Sequence, residues 1–190
     1  MNESNPVPLC RPGHSQLLVV DVQKRLAGAM PDAELEPVLR NLGVLLQAAD
    51  RLEIPVTATE QYPRGLGPTV PAVAASLPAA SGRFEKTGFS CCLAEGFSEA
   101  LAAAARPQVV LAGMEAHVCV LQTAIDLTSR GFEVYVVEDA VCSRNSRHRD
   151  NALARLRQAG VWVTNTESVL FEWLRDSSHP QFKAVSKLIR

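Results

Sequence analysis

The chain has 190 residues, a length that suits a single domain with one complete hydrophobic core. Hydrophobic residues make up 47% and charged residues 21%, which excludes a wholly disordered or collagen-like chain. Nineteen basic residues against 20 acidic ones leave a net charge of −1, which argues against a dedicated partner of nucleic acids or anionic membranes. No apolar run approaches the roughly 20 residues that are needed to span a bilayer.

The cysteines and the first residues indicate a reducing compartment. The opening segment MNESNPVPLC lacks the basic start and apolar core of a secretory signal. The five cysteines are odd in number, irregularly spaced and without a C-x-x-C pair, so neither a zinc ribbon nor a thioredoxin motif is available. We therefore expect a cytoplasmic protein with reduced thiols, in which Cys10, Cys91, Cys92 and Cys142 act as small buried hydrophobic residues.

Short apolar runs alternate with helical patterns along the chain. Residues 1–15 contain three prolines and predict a loose arm. Strands are predicted by the apolar runs at 16–22, 54–59, 83–86, 108–113, 132–137 and 161–164. Helices are predicted by the 3.6-residue periodicity at about 35–52, 94–105, 117–130 and 147–159. A long loop rich in Gly and Pro fills 60–82, and a short amphipathic helix at 178–190 packs either on the body or on another subunit.

This alternation predicts a single α/β domain over residues 1–190. Strands that alternate with helices form a parallel sheet covered on both faces, here a three-layer α/β/α arrangement with six strands. No internal repeat or domain linker interrupts it. Ligands of such sheets bind at the carboxyl ends of the strands, so reactive side chains at those ends are the candidates for function.

Three such side chains follow three different predicted strands. Asp21 ends the first strand, where it is either a structural cap or ion-pair partner, or a catalytic carboxylate. Lys86 ends the third strand, and it is one of only four lysines in a chain that otherwise uses arginine. Cys119 lies at a predicted helix start, where the helix dipole lowers the pKa of a thiol and free N–H groups stabilise an oxyanion. Each residue alone also fits a purely structural role, but a parallel sheet brings all three together.

The chain resembles the isochorismatase-like cysteine hydrolases. The segments that carry this resemblance are 17–23 (LLVVDVQ), 84–90 (FEKTGFS) and 113–120 (GMEAHVCV). The phrases at 59–63 (TEQYP) and 179–183 (HPQFK) resemble the isochorismatase domain-containing branch most closely.

The resemblance implies a six-stranded, Rossmann-like fold and a hydrolase that cleaves a small amide-type C–N bond through a thioester on Cys119. It implies a catalytic triad of Asp21, Lys86 and Cys119, and a homo-oligomer of two or more chains. It also implies a cis peptide bond at Met114–Glu115, which aims the backbone N–H groups of Val118 and Cys119 at the oxyanion.

Departures from the family restrict the reaction. The metal-binding histidines of the nicotinamidase branch are absent after the second strand, so we expect no catalytic metal and no cofactor, and nicotinamide is disfavoured. The isochorismate hydrolases of this family lack the cysteine, so the presence of Cys119 also disfavours hydrolysis of isochorismate.

Five further residues are candidates for the pocket: Gln23, Glu60, Phe89, Glu115 and His117. Side chains two apart diverge at a helix start, so His117 is either a structural wall or a substrate contact rather than a base for Cys119. Glu115 is interpreted as a group that orients the backbone. The basic run at 144–149 is interpreted as a solvated helix start or, alternatively, as a phosphate site.

Two other function classes stay open. One is a non-catalytic or redox-responsive oligomeric binding protein on the same fold, because a low-pKa thiol oxidises readily. A nucleic-acid-directed role is weaker, because the charge is balanced. The loop at 60–82 and the tail after Ser177 are the candidate contacts between subunits.

Overall fold

The fold is a six-stranded parallel sheet in the order β3-β2-β1-β4-β5-β6. The computed structural model describes residues 9–189, so most of the predicted arm lies outside the described residues. The strands are β1 (Ser15–Val20), β2 (Val56–Gln61), β3 (Gly82–Lys86), β4 (Gln108–Met114), β5 (Glu133–Cys142) and β6 (Trp162–Thr164). The predicted all-parallel α/β architecture is therefore confirmed.

Helices of very different length connect the strands. They are α1 (Lys24–Ala27), α2 (Asp32–Arg51), α3 (Pro63–Leu66), α4 (Pro71–Ala74), α5 (Phe97–Ala103), α6 (Leu121–Ser129), α7 (Ser146–Gln158), α8 (Thr166–Leu174) and α9 (Phe182–Ser186). Single 3-10 turns occupy Cys91–Leu93 and Lys187–Ile189, and a π turn occupies Ala116–Val120.

Two hydrophobic cores lie on the two faces of the sheet, and β1 contributes to both. Leu17 and Val19 pack on one face with α2, α8 and α9. Leu18 and Val20 pack on the other face with α5, α6 and α7. Because successive side chains of a strand point to opposite faces, a strand that is buried on both sides reads as a continuous apolar run.

Helix α2 covers much of the first face. Val38, Leu42, Leu45 and Ala49 recur at helical spacing and are buried. The helix begins at Asp32, three residues earlier than predicted, and it has acidic residues in its first turn, where they complement the helix dipole. It also contains Pro37, which is exposed on the face away from the core.

The centre of the sheet contains its topological switch point. Strands β1 and β4 are neighbours, but the chain leaves β1 toward β2 and leaves β4 toward β5 on the other side. Connections that diverge in this way leave a crevice at the carboxyl ends of the two strands. Asp21 directly follows β1, and the π turn with Cys119 follows β4.

Several boundaries differ from the predicted ones. The structure extends β5 to Cys142, past the predicted end at 137, because pairing with β4 resumes at Gly113 and Met114 after a shift in register. The segment at 60–82 contains β2 residues, α3 and α4 rather than loop alone. Helix α8 was not predicted, although Asn165 caps it by accepting a hydrogen bond from the Ser168 N–H at 2.9 Å.

Both ends of the described chain are attached to the body. Residues 9–14 are held rather than loose, since Cys10 is buried and its N–H donates to Glu172 at 2.8 Å. Helix α9 packs on the first core of its own chain through Val185. Of the helices between residues 9 and 189, none has the length and apolar character that crossing a membrane requires.

Candidate active site

A buried ion pair lies at the switch point. Lys86 Nζ is 2.6 Å from Asp21 Oδ2, and neither side chain is exposed to solvent. Asp21 adopts a left-handed backbone conformation with φ of +50°, which ends β1 abruptly. Removing two charges from water is unfavourable unless both are paired and hydrogen-bonded, so the surroundings of this pair decide whether it persists.

The ammonium of Lys86 has no hydrogen left for another partner. It donates to Asp21 Oδ2 at 2.6 Å, to Gln61 Oε1 at 2.8 Å and to the carbonyl oxygen of Phe89 at 2.9 Å. The carbonyl oxygen of Gly88 lies at a longer 3.3 Å. An ammonium has three hydrogens, so these acceptors use all of them and fix its position.

Gln61 and Gln23 fix the Lys86 side of the site. The Gln61 amide donates to the Thr87 carbonyl oxygen at 2.6 Å, which turns its own oxygen toward Lys86. The Gln23 side chain accepts from the Gln61 N–H at 2.7 Å and donates to the carbonyl oxygens of Gln61 and Gly67. Gln23 therefore braces the strand ends rather than facing a substrate.

Thr59 and Cys91 lie on the other side of Asp21. The Thr59 hydroxyl donates to Asp21 Oδ1 at 2.7 Å, so the two carboxylate oxygens have donors from different strands. Cys91 Sγ is 3.5 Å from Thr59 Oγ1. Neither Thr59, Gln61 nor Cys91 was predicted to belong to the site. Strand alternation could have identified Thr59 and Gln61, because they share one face at the end of β2.

Cys119 is buried in the π turn, with 5% of its surface exposed. Burial raises the pKa of its thiol above the ordinary value, and the charge of Asp21 and a hydrogen bond with that side chain raise it further, while Lys86 lowers it. The expected lowering of this pKa is therefore wrong in direction, because loss of solvent and a nearby carboxylate both disfavour the ionised thiol. The unreacted site holds a neutral thiol beside a carboxylate.

The predicted oxyanion donors differ in availability. The Val118 N–H donates to the Glu115 carbonyl oxygen at 3.0 Å, because the turn folds back on itself, so this donor is already engaged. The N–H of Cys119 remains a predicted donor. The Met114–Glu115 peptide bond is cis, as the resemblance implies.

His117 and Glu115 contact the segment that follows β5. His117 Nδ1 lies 3.0 Å from Ser143 Oγ, and its ring lies 4.9 Å from that of His148. Burial lowers the pKa of His117, with His148 and Arg144 acting in the same direction and Glu115 opposing them. Glu115 accepts from the Arg144 backbone N–H at 2.9 Å and from its guanidinium at 3.1 Å, which joins the start of the Cys119 turn to the segment after β5.

Two predicted pocket residues are placed differently from the prediction. Glu60 accepts hydrogen bonds from the N–H and hydroxyl of Thr69 and lines a separate cavity with Ala58 and Leu77, because alternation along β2 points it to the opposite face from Thr59. Phe89 contributes its carbonyl oxygen to Lys86, while its side chain is largely exposed. Within residues 9–189, no three His, Cys, Asp or Glu side chains are grouped so that they could hold a metal ion.

The six-stranded parallel sheet and its order of strands define an isochorismatase-like α/β fold. The model of the isochorismatase domain matches residues 15–168, and the chain belongs to that family. Isochorismatase domain-containing protein 2 from Danio rerio is 43% identical over 176 residues, which cover 92% of this chain and 86% of that protein. These findings confirm the resemblance seen in the sequence.

Two solved structures share the fold. MAR1 ribonuclease from Caenorhabditis elegans is 40% identical with a TM-score of 0.90, and the match covers 96% of this chain and 92% of that one. The YcaC gene product of Escherichia coli, an octameric hydrolase of unknown specificity, is 27% identical with a TM-score of 0.91. That match covers 98% of this chain and 91% of the YcaC chain.

Proposed function

We propose that the chain is a cysteine hydrolase that cleaves a small amide-type C–N bond through a thioester on Cys119. The observation that carries this proposal is the buried Lys86–Asp21 ion pair, whose two charges both act on the buried thiol of Cys119. A nucleophile, a base within reach and a fixed cation are the parts that covalent catalysis requires. The low exposure of all three side chains favours a small substrate.

In the proposed first step, the thiol proton moves to Asp21 while sulfur attacks the carbonyl carbon. Because the pKa of Cys119 is raised, the thiolate forms during attack rather than before it. The carbonyl electron pair moves to oxygen, and the N–H of Cys119 stabilises the resulting oxyanion.

In the second step, the C–N bond breaks as Asp21 gives its proton to the leaving nitrogen, and the thioester remains. Asp21 then takes a proton from water, whose oxygen attacks the thioester carbon. The C–S bond breaks, the acid leaves, and Asp21 returns the proton to sulfur. One carboxylate thus serves as base and acid in the first half of the reaction, and as base and acid again in the second half.

Lys86 acts by charge and position in this scheme. Its three hydrogens are already bound, so it stabilises the ionised carboxylate and the developing thiolate without donating a proton to the substrate.

The proposal predicts that Cys119→Ala abolishes turnover. A panel of small primary amides and ureido compounds is screened for release of ammonia or amine, and hits are quenched in acid for mass spectrometry of the acyl-enzyme. We expect a loss of at least about a thousandfold in kcat/KM and no adduct on the variant.

Cys10→Ala is the matched control, because Cys10 is also a buried thiol but precedes the amino end of β1, far from the site. It should retain turnover. A Cys119→Ala protein that turns over an identified substrate at the wild-type rate contradicts the nucleophile assignment.

Cleavage of RNA is a second candidate. The Caenorhabditis elegans relative is named a ribonuclease, and the exposed residues Arg144 and His148 contact Glu115 and His117 beside Cys119. The net charge of −1 and the buried triad fit a small substrate better. Degradation of a labelled single-stranded RNA by the wild type and not by Cys119→Ala would favour this second function.

The redox-responsive alternative loses its main support, since it required a thiol of lowered pKa. We further propose a homo-oligomer and a reducing, cytoplasmic compartment. The oligomeric relative and exposed hydrophobic side chains near the site support the first, and the five free cysteines support the second.

A further inference from the structure

Asp21 is held from two sides by groups that differ in their freedom to move. Lys86 is fixed by three acceptors, and it holds Oδ2. Thr59 holds Oδ1 through a single hydroxyl on β2. The O–H bond of a threonine rotates about the C–O bond. The direction in which it donates therefore depends on whether a second group also hydrogen-bonds to the hydroxyl oxygen.

Cys91 supplies that second partner. An ionised carboxylate only accepts hydrogen bonds, so the one hydrogen of Thr59 is used on Asp21. The contact between Cys91 Sγ and Thr59 Oγ1 at 3.5 Å therefore has the thiol as donor. Burial raises the pKa of Cys91 to about 11, so the thiol keeps its hydrogen near neutral pH.

Cys91 itself is fixed in place. It is fully buried, and its backbone N–H donates to Thr123 Oγ1 at 2.9 Å. Thr123 lies on α6, one helical turn after Cys119. Cys91 thus donates to Thr59, and Thr59 donates to Asp21. This chain of hydrogen bonds is anchored on α6, the helix that follows Cys119, through the bond between Cys91 and Thr123.

We infer that Thr59 is a positioning residue that orients the Asp21 carboxylate toward the Cys119 thiol, and that Cys91 fixes the Thr59 hydroxyl in that task. The inference rests on the proposed function of Asp21 and Cys119. With Oδ1 and Oδ2 each bound to a donor, the plane of the carboxylate is set and a free lone pair is left for the thiol. Neither Thr59 nor Cys91 needs to touch the substrate.

The reactivity of Cys119 toward iodoacetamide as a function of pH tests this inference without a known substrate. Peptide mass spectrometry separates Cys119 from the other four cysteines. The titratable and charged groups that act on its thiol are Asp21, Lys86 and Cys91, and His117 on the same turn is directed to Ser143.

Thr59→Val removes only the hydroxyl and keeps the branched shape. A carboxylate that loses this donor holds the thiol proton more strongly and repels the thiolate more, so the thiolate appears at higher pH. We expect the midpoint of Cys119 alkylation to rise by about one pH unit, given the strength of hydrogen bonds to charged groups.

Four variants separate the effect of position from the effect of packing. Thr59→Ser keeps the donor and should restore the wild-type midpoint. Thr57→Val makes the same change two residues earlier on the same face of β2, where the side chain does not reach Asp21, and should leave the midpoint unchanged. Cys91→Ala should shift the midpoint in the same direction as Thr59→Val but less, and Cys91→Ser should restore it.

The outcomes distinguish this inference from the proposed function. An unchanged midpoint in a folded Thr59→Val protein, or equal shifts in Thr59→Val and Thr59→Ser, overturns the positioning role and leaves the nucleophile assignment standing. Turnover of an identified substrate that survives at the wild-type rate in Cys119→Ala contradicts the proposed function, and the positioning role falls with it.

Discussion

At the scale of single residues, the site depends on an ion pair that is stable only as a pair. Asp21 and Lys86 have no exposed side-chain surface, so removal of one charge leaves the other unpaired in a low-dielectric environment. Loss of one partner of a buried pair is typically destabilising by about 3–5 kcal/mol, whereas replacement of both is often much milder.

A double-mutant cycle tests this coupling. Lys86→Met should lower the free energy of unfolding by about 3–5 kcal/mol, because the carboxylate of Asp21 stays buried without its cation. Asp21→Asn should also destabilise, and asparagine tolerates the left-handed backbone at φ +50°. The double variant should be more stable than the sum of the two changes implies. Urea unfolding measures all four proteins, and strict additivity would argue against a coupled pair.

The residue scale is also where sequence reasoning was incomplete. Asp21, Lys86 and Cys119 were identified because each lies at the carboxyl end of a different predicted strand, or just after it. Glu60 was a pocket candidate because it follows the end of the predicted second strand, yet the period of two places Thr59 and Gln61 on the face of the site. The raised pKa of Cys119 depends on burial beside Asp21, which no local pattern encodes.

At the scale of elements, the close approach of β1 and β4 defines the switch point. Gly113 has φ of +124°, and a Cβ at this position would overlap the backbone of Val20. The two strands therefore approach closely at the last residue pair before Asp21 and the Cys119 turn. A glycine in a strand often marks such an approach.

Gly113→Ala and Gly43→Ala should have opposite effects. At Gly113 the new methyl group meets backbone, and the positive φ disfavours alanine, so we expect a loss of at least about 2–3 kcal/mol in the free energy of unfolding. At Gly43, inside α2, the methyl group enters open space, and alanine should add about 0.5–1 kcal/mol. Urea unfolding measures both. Equal effects at the two sites would contradict the close approach of β1 and β4.

Elements with a simple period were predictable, and those set by neighbours were not. Strands buried on both faces and α2 follow from apolar runs and 3.6-residue spacing. The extension of β5 depends on a register shift against β4, which is a property of two strands together. Helix α8 had a local signal in the Asn165 cap and the spacing of its apolar residues, so its omission was avoidable.

At the scale of the whole molecule, exposed hydrophobic side chains are unevenly distributed. Among the described residues, the most exposed large hydrophobic side chains are Leu93 at 68%, Tyr62 at 54% and Phe89 at 53%. Tyr62 and Leu93 line one surface cleft beside edge strand β3, and Leu93 packs over Gly88, the neighbour of Phe89. Clustered apolar surface beside an edge strand is typical of an interface.

Leu93→Arg should therefore dissociate the proposed homo-oligomer. The charge lies at the centre of the exposed cluster, and a second copy seated there would have to bury it unpaired. Phe171→Arg is the matched control, since Phe171 is 41% exposed but lies on α8 beside Phe182, next to the C-terminal tail that was the other predicted contact. Size-exclusion chromatography with light scattering gives the mass of each protein. We expect Leu93→Arg to yield smaller species and Phe171→Arg to keep the wild-type mass. The reverse result would place the interface at the tail, and a monomeric wild type would refute the oligomer.

An interface at this cluster would also affect the site, because Phe89 supplies a carbonyl oxygen to Lys86. The interface would hold in place the loop that fixes the Lys86 ammonium. Dissociation of the oligomer should therefore also lower the reactivity of Cys119.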